Sequence, residues 1–340
     1  MIYDLELKAI VLAKYDGQSV IDYLTDRFTY KSREKWLELI SLGKIRVNGE
    51  IVESSFSLKE NSVLTFLVNN YYEADLDCNY HLVFENENII VVSKPANLPV
   101  SSNHRFFRQN MTALIRRDFN LPDINPIHRL DRETSGLIIY LKKRFDKPRY
   151  LRKDSRLIMK DKYYLAIVRG EVDENSFTIN VPLKESNVPP IGYKTIVAEN
   201  NDGKPASTDF LKLATANGYS LLLAKLNSGR KHQIRAHCAY AGFPIVGDKL
   251  YSFDGKYYLK LYSNEEFSED DYRELGARHQ LLHSYAMNLE LPDEGKKFIV
   301  SEYFSQEFER YLCLFANSNF CCTENLKEYI KNIIFLGEKI

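Results

Sequence analysis

Two spacings of apolar residues alternate along the chain. In GQSVIDYLTDRF, residues 17–28, Val20, Ile21, Leu24 and Phe28 recur at helical intervals. SREKWLELISLG, residues 32–43, predicts a second helix. Ser32 is a suitable N-cap, Lys35 stands where a capping box would place Glu, and Gly43 suits the C-terminal stop. KIRVNGEIV then predicts two short strands about Asn48-Gly49, a strong hairpin signal, and SVLTFLV a further strand. NNYYEADLDCNY, residues 69–80, is polar and patternless and reads as a linker. Beyond it, IIVVSKP, GLIIYLK, DKYYLAIVRG, STDFLKLA and YSLLLAKL read as strands. The first of these must end at Lys94-Pro95, because proline cannot continue a central ladder. Helical patterns lie between them, around residues 109–118 and 231–241.

Strands interleaved with helices in no strict βαβ order predict an α+β fold on a mixed, mainly antiparallel sheet. The expected organisation is a small unit at residues 1–68, a linker at 69–80, a large domain at 81–304 and a helical extension at 305–340 packing on the surface.

Composition narrows this picture modestly. The 340 residues carry 46 Lys and Arg against 46 Asp and Glu, so overall charge points to no particular partner. Its distribution says more. Residues 141–162 hold ten Lys and Arg and three Asp, whereas NEEFSEDDYRE, residues 264–274, is strongly acidic. The five cysteines show neither a metal spacing nor a disulfide framework, which fits a reducing cytoplasm. The opening residues lack the long apolar region of a signal peptide, and no run approaches the roughly 18–20 apolar residues of a membrane helix.

The chemistry concentrates in HRLDRETSGL, residues 128–137, where Asp131 sits between Arg129 and Arg132 just before the apolar run LIIYL. Taken with IVVSKPANLPV, KYYLAIVRG and SGRKHQIRAHCAYAGFPIVGDKLY, this stretch resembles the RluA-type pseudouridine synthases from about residue 80 to residue 300. The smaller signature SR...LI..GKIRVNG, with Arg33, Lys44 and Arg46, resembles the alpha-L RNA-binding domain, a usual companion in that family.

The resemblance implies isomerisation of RNA uridine: the N1–C1′ bond breaks, the base turns, and C5 joins C1′. Asp131 matches the essential aspartate, whose role is left open between nucleophile at C1′ and base toward the ribose. Arg235 matches the arginine that pairs with it, and Tyr164 the tyrosine that lies against the base. Strand alternation should turn the neighbouring Tyr163 to the opposite face. Arg129 matches the arginine that fills the space left by a flipped base, which offsets part of the unstacking cost. His128, Lys162 and Arg230 are further candidate substrate contacts in the large domain, and Arg33 and Arg46 in the small one.

No cofactor is expected, because neither GxxxxGK[ST] nor a G-x-G-x-x-G after a strand occurs. No metal is expected either, since the spacing of His128, His232 and His237 fits no zinc site. Three departures from the family pattern stand out: Asn97 for a glycine, Lys231 for a threonine, and Asn61 for an acidic residue. The expected partner is RNA, foremost large-subunit ribosomal RNA, bound by a cytoplasmic monomer. The alternatives are a synthase acting on transfer RNA and a non-catalytic RNA-binding or ribosome-assembly protein.

Overall fold

The computed structural model describes residues 1–103, 105–142, 158–192, 194–199, 202–292, 294–315 and 323–336. Most of the basic run at 141–162 lies outside them. The chain forms two compact units, Met1–Asp75 and Leu76–Ile340.

In the first unit, helices Val20–Arg27 and Arg33–Ser41 precede the hairpin Ile45–Val47 and Glu50–Ile51, as the apolar spacing predicts. Ser19 and Ser32 cap the helices through the backbone N–H groups of Asp22 and Lys35. At the hairpin turn Asn48 and Gly49 both take positive φ, 51° and 91°. Trp36, Tyr23, Leu24 and Ile45 fill the core of this unit.

The first unit also departs from expectation. Residues Ile2–Ile10 form an unforeseen strand that pairs with Val63–Tyr72, so residues 69–72 continue a strand rather than begin a linker. Only Leu5 of Ile2–Ile10 is buried, but Tyr3, Leu5, Leu7 and Ala9 alternate with exposed neighbours, a period-two signal that the sequence carries.

The second unit is built on a mixed sheet. Its described strands run in the spatial order Ser176–Asn180, Ser207–Ala216, Tyr219–Leu226, Met159–Arg169, Leu282–Leu291, Ser135–Leu141, Ile89–Lys94 and His81–Glu85. Along this path only the contact between Leu282–Leu291 and Ser135–Leu141 is parallel. Gly295–Val300 and Asn125–Pro126 pair off the main path.

Strand alternation sorts the apolar residues of the second unit into two layers. Tyr164, Ala166 and Val168 pack with Met111, Ile234 and Cys238, whereas Tyr163, Leu165 and Ile167 pack with Phe308, Leu312, Leu326 and Ile330. Helices Gln306–Leu312 and Thr323–Leu336 therefore complete a core layer, which the expectation of a surface extension understated. The acidic stretch forms Glu269–Leu275, whose first-turn acids suit the positive end of a helix.

Gly136 ties the segment carrying Asp131 to the sheet. It lies inside strand Ser135–Leu141, with φ at 99°. A Cβ at this position would lie 2.3 Å from the Ser284 carbonyl oxygen and 2.7 Å from its nitrogen. Both obstacles are backbone of the parallel neighbour and cannot rotate away. Gly136→Ala is therefore expected to destabilise the second unit by about 3 kcal/mol or more, combining forbidden φ with a backbone clash. Urea denaturation followed by tyrosine fluorescence measures this, and an unchanged midpoint would contradict it.

Candidate active site

Asp131 stands in the loop that leads into Ser135–Leu141, with the Thr134 N–H closing a turn on its carbonyl at 3.2 Å. The loop is fastened at both flanks. Lys94, 1% exposed, donates from Nζ to the carbonyls of Pro95 and Leu98 at 2.8 Å and of Arg132 at 3.0 Å. Burial lowers its pKa to about 7. On the other flank Glu133 accepts from Lys249 at 2.8 Å, and Thr134 Oγ1 accepts from Gln280 at 2.6 Å. Asn97 adopts the left-handed conformation at φ 63° that its place in the pattern requires, and its carbonyl accepts from Arg132 at 3.3 Å.

Arg235, on helix Gln233–Tyr240, bridges two carboxylates. Its Nη1 donates to Asp131 Oδ2 at 2.8 Å. Its Nε and Nη2 donate to Asp248 Oδ2 and Oδ1 at 2.7 and 2.8 Å. The sequence places the arginine correctly, but its fork serves Asp248 and not Asp131. Asp248 is fully buried and also accepts from the backbone N–H groups of Leu250 and Tyr251. It stands in the quoted PIVGDKLY stretch, yet no property of the string distinguishes it from any turn aspartate.

This geometry leaves Asp131 Oδ1 without a partner among the described residues, on a side chain one-quarter exposed. Burial pushes the Asp131 carboxyl up, but the charge and hydrogen bond of Arg235 hold it below its ordinary value, with His232 adding to this only in acid, where it is protonated. Burial likewise opposes ionisation of Asp248, and Arg235 again wins. His232 Nε2 lies 3.8 Å from Asp131 Oδ2, and its Nδ1 is 3.2 Å from the Tyr251 hydroxyl. Burial and the Arg235 charge depress this imidazole to about 4. It is a neutral neighbour at pH 7.

A cavity of about 360 Å³ opens over Asp131, with Arg105, Arg129, Arg132 and Lys249 in its walls. A smaller recess of about 80 Å³ joins Asp131 to Tyr164 and Arg230. Burial raises the Tyr164 hydroxyl to about 12, so at neutral pH it is an un-ionised phenol. Tyr163 belongs to the opposite layer, as alternation requires. Arg129 is exposed, lines both cavities and has no partner among the described residues.

His128 turns its Nε2 to the Ile139 N–H at 3.2 Å and also borders a separate cleft with Lys162 and Arg230. Lys231 is engaged by Glu185 at 2.8 Å. Among the described residues no cluster of three metal-ligating side chains occurs. In the first unit, Arg33 pairs with Asp22 at 2.7 Å, and Arg46 has a buried Nε without a partner among the described residues.

The motifs imply an aspartate paired with an arginine near a tyrosine, and the structure brings Asp131, Arg235 and Tyr164 to one recess, with the arginine on one oxygen only. A model of the family described as RNA pseudouridylate synthase matches residues 88–240, a span that contains Asp131, Tyr164 and Arg235. Residues 88–240 are thus similar to the RNA pseudouridylate synthase family.

The chain's relatives agree. It is 28% identical to RNA pseudouridine synthase 7 of Arabidopsis thaliana, over 73% of this chain and 64% of that protein, so it spans somewhat less than two thirds of that relative's length. It is 26% identical to ribosomal large subunit pseudouridine synthase C of Pasteurella multocida, over 87% of this chain and 90% of that one. It is also 26% identical to the mitochondrial tRNA pseudouridine(32) synthase of Saccharomyces cerevisiae, over 74% of this chain and 54% of that one. The solved structure of human RNA pseudouridylate synthase domain containing 1 shares the fold, with a TM-score of 0.53 at 21% identity, covering 70% of this chain and 89% of that one.

Two outcomes follow for this synthase fold. Asp248→Asn is expected to cost about 3 kcal/mol, because it breaks a buried ion pair and leaves Arg235 undercompensated. Urea midpoints measure the loss; a cost below about 1 kcal/mol would mean that Asp131 alone can hold the arginine.

The second outcome concerns acid. His128 and His283 are depressed to about 3 and His232 to about 4, chiefly by burial. The unfolded chain therefore takes up protons first, from the ordinary histidine value of about 6.5 downward. The stability contributed by neutral histidines is intact above that pH and is lost as pH falls toward the folded values. Unfolding free energy should drop between about pH 6.5 and 4.5 as the unfolded chain binds extra protons, His237 and His279 adding to these three because burial lowers them too, and His283→Gln should remove one proton. A flat profile in that window would contradict the buried neutral state.

Proposed function

We propose that this protein isomerises uridine to pseudouridine in RNA, with large-subunit ribosomal RNA the leading substrate. The observation that carries the reading is the one-sided grip on Asp131: Arg235 fixes Oδ2, and Oδ1 remains available in the recess floored by Tyr164. A uridine flipped into that recess would stack on the Tyr164 ring, a contact worth roughly 1–3 kcal/mol for any base. Arg129, unpaired at the junction of the two cavities, is placed to occupy the gap left in the strand.

In the proposed reaction Asp131 acts as an ionised carboxylate on the ribose, either at C1′ or as a base. The N1–C1′ bond breaks, the uracil rotates, and C5 bonds to C1′. The C5 hydrogen leaves as a proton while N1 gains one, so nothing is consumed. The Arg235 charge serves this step by keeping the carboxylate ionised inside a partly dry pocket.

Ribosomal RNA is favoured over transfer RNA by the extent of one relationship. The large-subunit relative matches 87% of the chain, more than the second unit alone can supply, so its similarity reaches into the first unit. That unit, with the helix–helix–hairpin order of an alpha-L domain, would grip RNA through Arg33, Lys44 and Arg46. The three described cysteines are free thiols, in keeping with action in a reducing cytoplasm.

Tritium release tests the proposal, because forming the C5–C1′ bond displaces the hydrogen at C5. Ribosomal and transfer RNA transcripts made with 5-tritiated uridine are incubated with the wild type and with Asp131→Asn. The expected outcome is release from ribosomal RNA by the wild type and background counts for the variant. Tight binding of both transcripts without release would favour a binding or assembly protein, and preferential release from transfer RNA would change the substrate.

A further inference from the structure

A larger cavity than the one over Asp131 has no part in the reaction as derived. It measures about 610 Å³, within the size range of small-molecule sites. Three cations line it, Lys160, Lys162 and Arg230, and no Asp or Glu does. Met159, Pro205 and Leu226 give it an apolar side, and Asn180 and Asn227 offer amides.

Its position relative to Asp131 is the informative feature. Arg230 and Leu226 line both this cleft and the recess that holds Asp131 and Tyr164, so the two cavities share a wall. Lys162 and Tyr164 lie two residues apart in strand Met159–Arg169, on the same face, which separates them by about 6.5 Å along the strand. Arg230 is itself fixed: its Nε donates to the Pro205 carbonyl at 3.0 Å, and its N–H donates to Gln233 Oε1 at 3.0 Å. Its two Nη groups have no partner among the described residues. A braced guanidinium with open donors between two cavities is suited to a phosphodiester. Lys160 has one acidic neighbour, Glu290 at 3.0 Å, in a pair about half exposed and therefore weak.

We propose that this cleft is a second nucleotide subsite. It takes the nucleotide adjacent to the target uridine in the same RNA strand. The phosphodiester between the two lies on Arg230, the neighbouring backbone runs along Lys162 and Lys160, and the neighbouring base packs on Met159, Pro205 and Leu226. This deepens the proposed function and rests on it. The consequence is that the enzyme is sensitive to the sequence beside its target and not to the uridine alone.

The test uses fluorescein-labelled pentauridylate and the full-length protein. Fluorescence anisotropy gives the affinity at several salt concentrations between about 50 and 200 mM. Neutralising a phosphate contact on a single strand reduces the slope of log affinity against log salt by about 0.7. Lys160→Gln/Lys162→Gln should lower the slope by about 0.7 to 1.4, and Arg230→Gln by about 0.7. Lys327→Gln, on helix Thr323–Leu336, should leave it unchanged. Urea midpoints confirm that all variants are folded.

Wild-type slopes retained by both cleft variants would overturn the subsite. That failure is separable from failure of the proposed function, which is read by tritium release from the transcripts: a wild type that releases tritium while the cleft variants keep their slopes refutes the subsite alone. A wild type that neither releases tritium nor binds pentauridylate refutes both.

Discussion

The second unit depends on one buried guanidinium. Arg235 lies between Asp131 and Asp248, and each carboxylate is ionised because of it. Removing such charges from water is costly, and the cost is met only when geometry and hydrogen bonding are complete. Asp248 meets that condition with three donor groups besides the second Arg235 bond, two of them backbone. Asp131 does not, and this asymmetry is the useful part. The saturated carboxylate anchors the arginine, and the arginine lends an Nη1 N–H to the unsaturated one. An aspartate is thereby held ionised and oriented while one oxygen stays open to a substrate.

The remainder of the unit keeps that arrangement in place. Lys94 spends its three donors on carbonyls of two loops, so the segment after Ile89–Lys94 and the segment carrying Asp131 are locked together from beneath. Gly136 allows the strand after Asp131 to approach Ser284 more closely than any side chain permits. Glu133 and Thr134 fasten the loop to Lys249 and Gln280. Polar contacts thus set the loop's geometry, and the apolar layers on either side of the sheet hold the frame.

Much of this was legible in the sequence, for identifiable reasons. The buried strands announced themselves as apolar runs, and Asn48-Gly49 announced its hairpin. Tyr164 and Tyr163 were separable by alternation alone. Ile2–Ile10 carries a local signal, since Tyr3, Leu5, Leu7 and Ala9 alternate with exposed residues, but it is mostly exposed and its partner lies some sixty residues away. The other features that escaped lack a local signature. Asp248 and Lys94 look like ordinary turn and strand-end residues, because their importance lies in contacts made across long sequence separations. Arg235 could be matched to Asp131 by pattern, but its bidentate partner could be found only from geometry.

The central claim is that Arg235 keeps Asp131 ionised against the pull of burial. The pH dependence of kcat/KM for tritium release tests it most directly, because that ratio reports ionisations of the free enzyme. The account predicts a profile with no acid limb from about pH 8 down to the onset of acid unfolding, since the Asp131 carboxyl titrates below its ordinary range. A limb with its midpoint between about pH 5 and 7, present in the folded protein and altered in Asp248→Asn, would mean that desolvation prevails over the guanidinium, and would contradict the account.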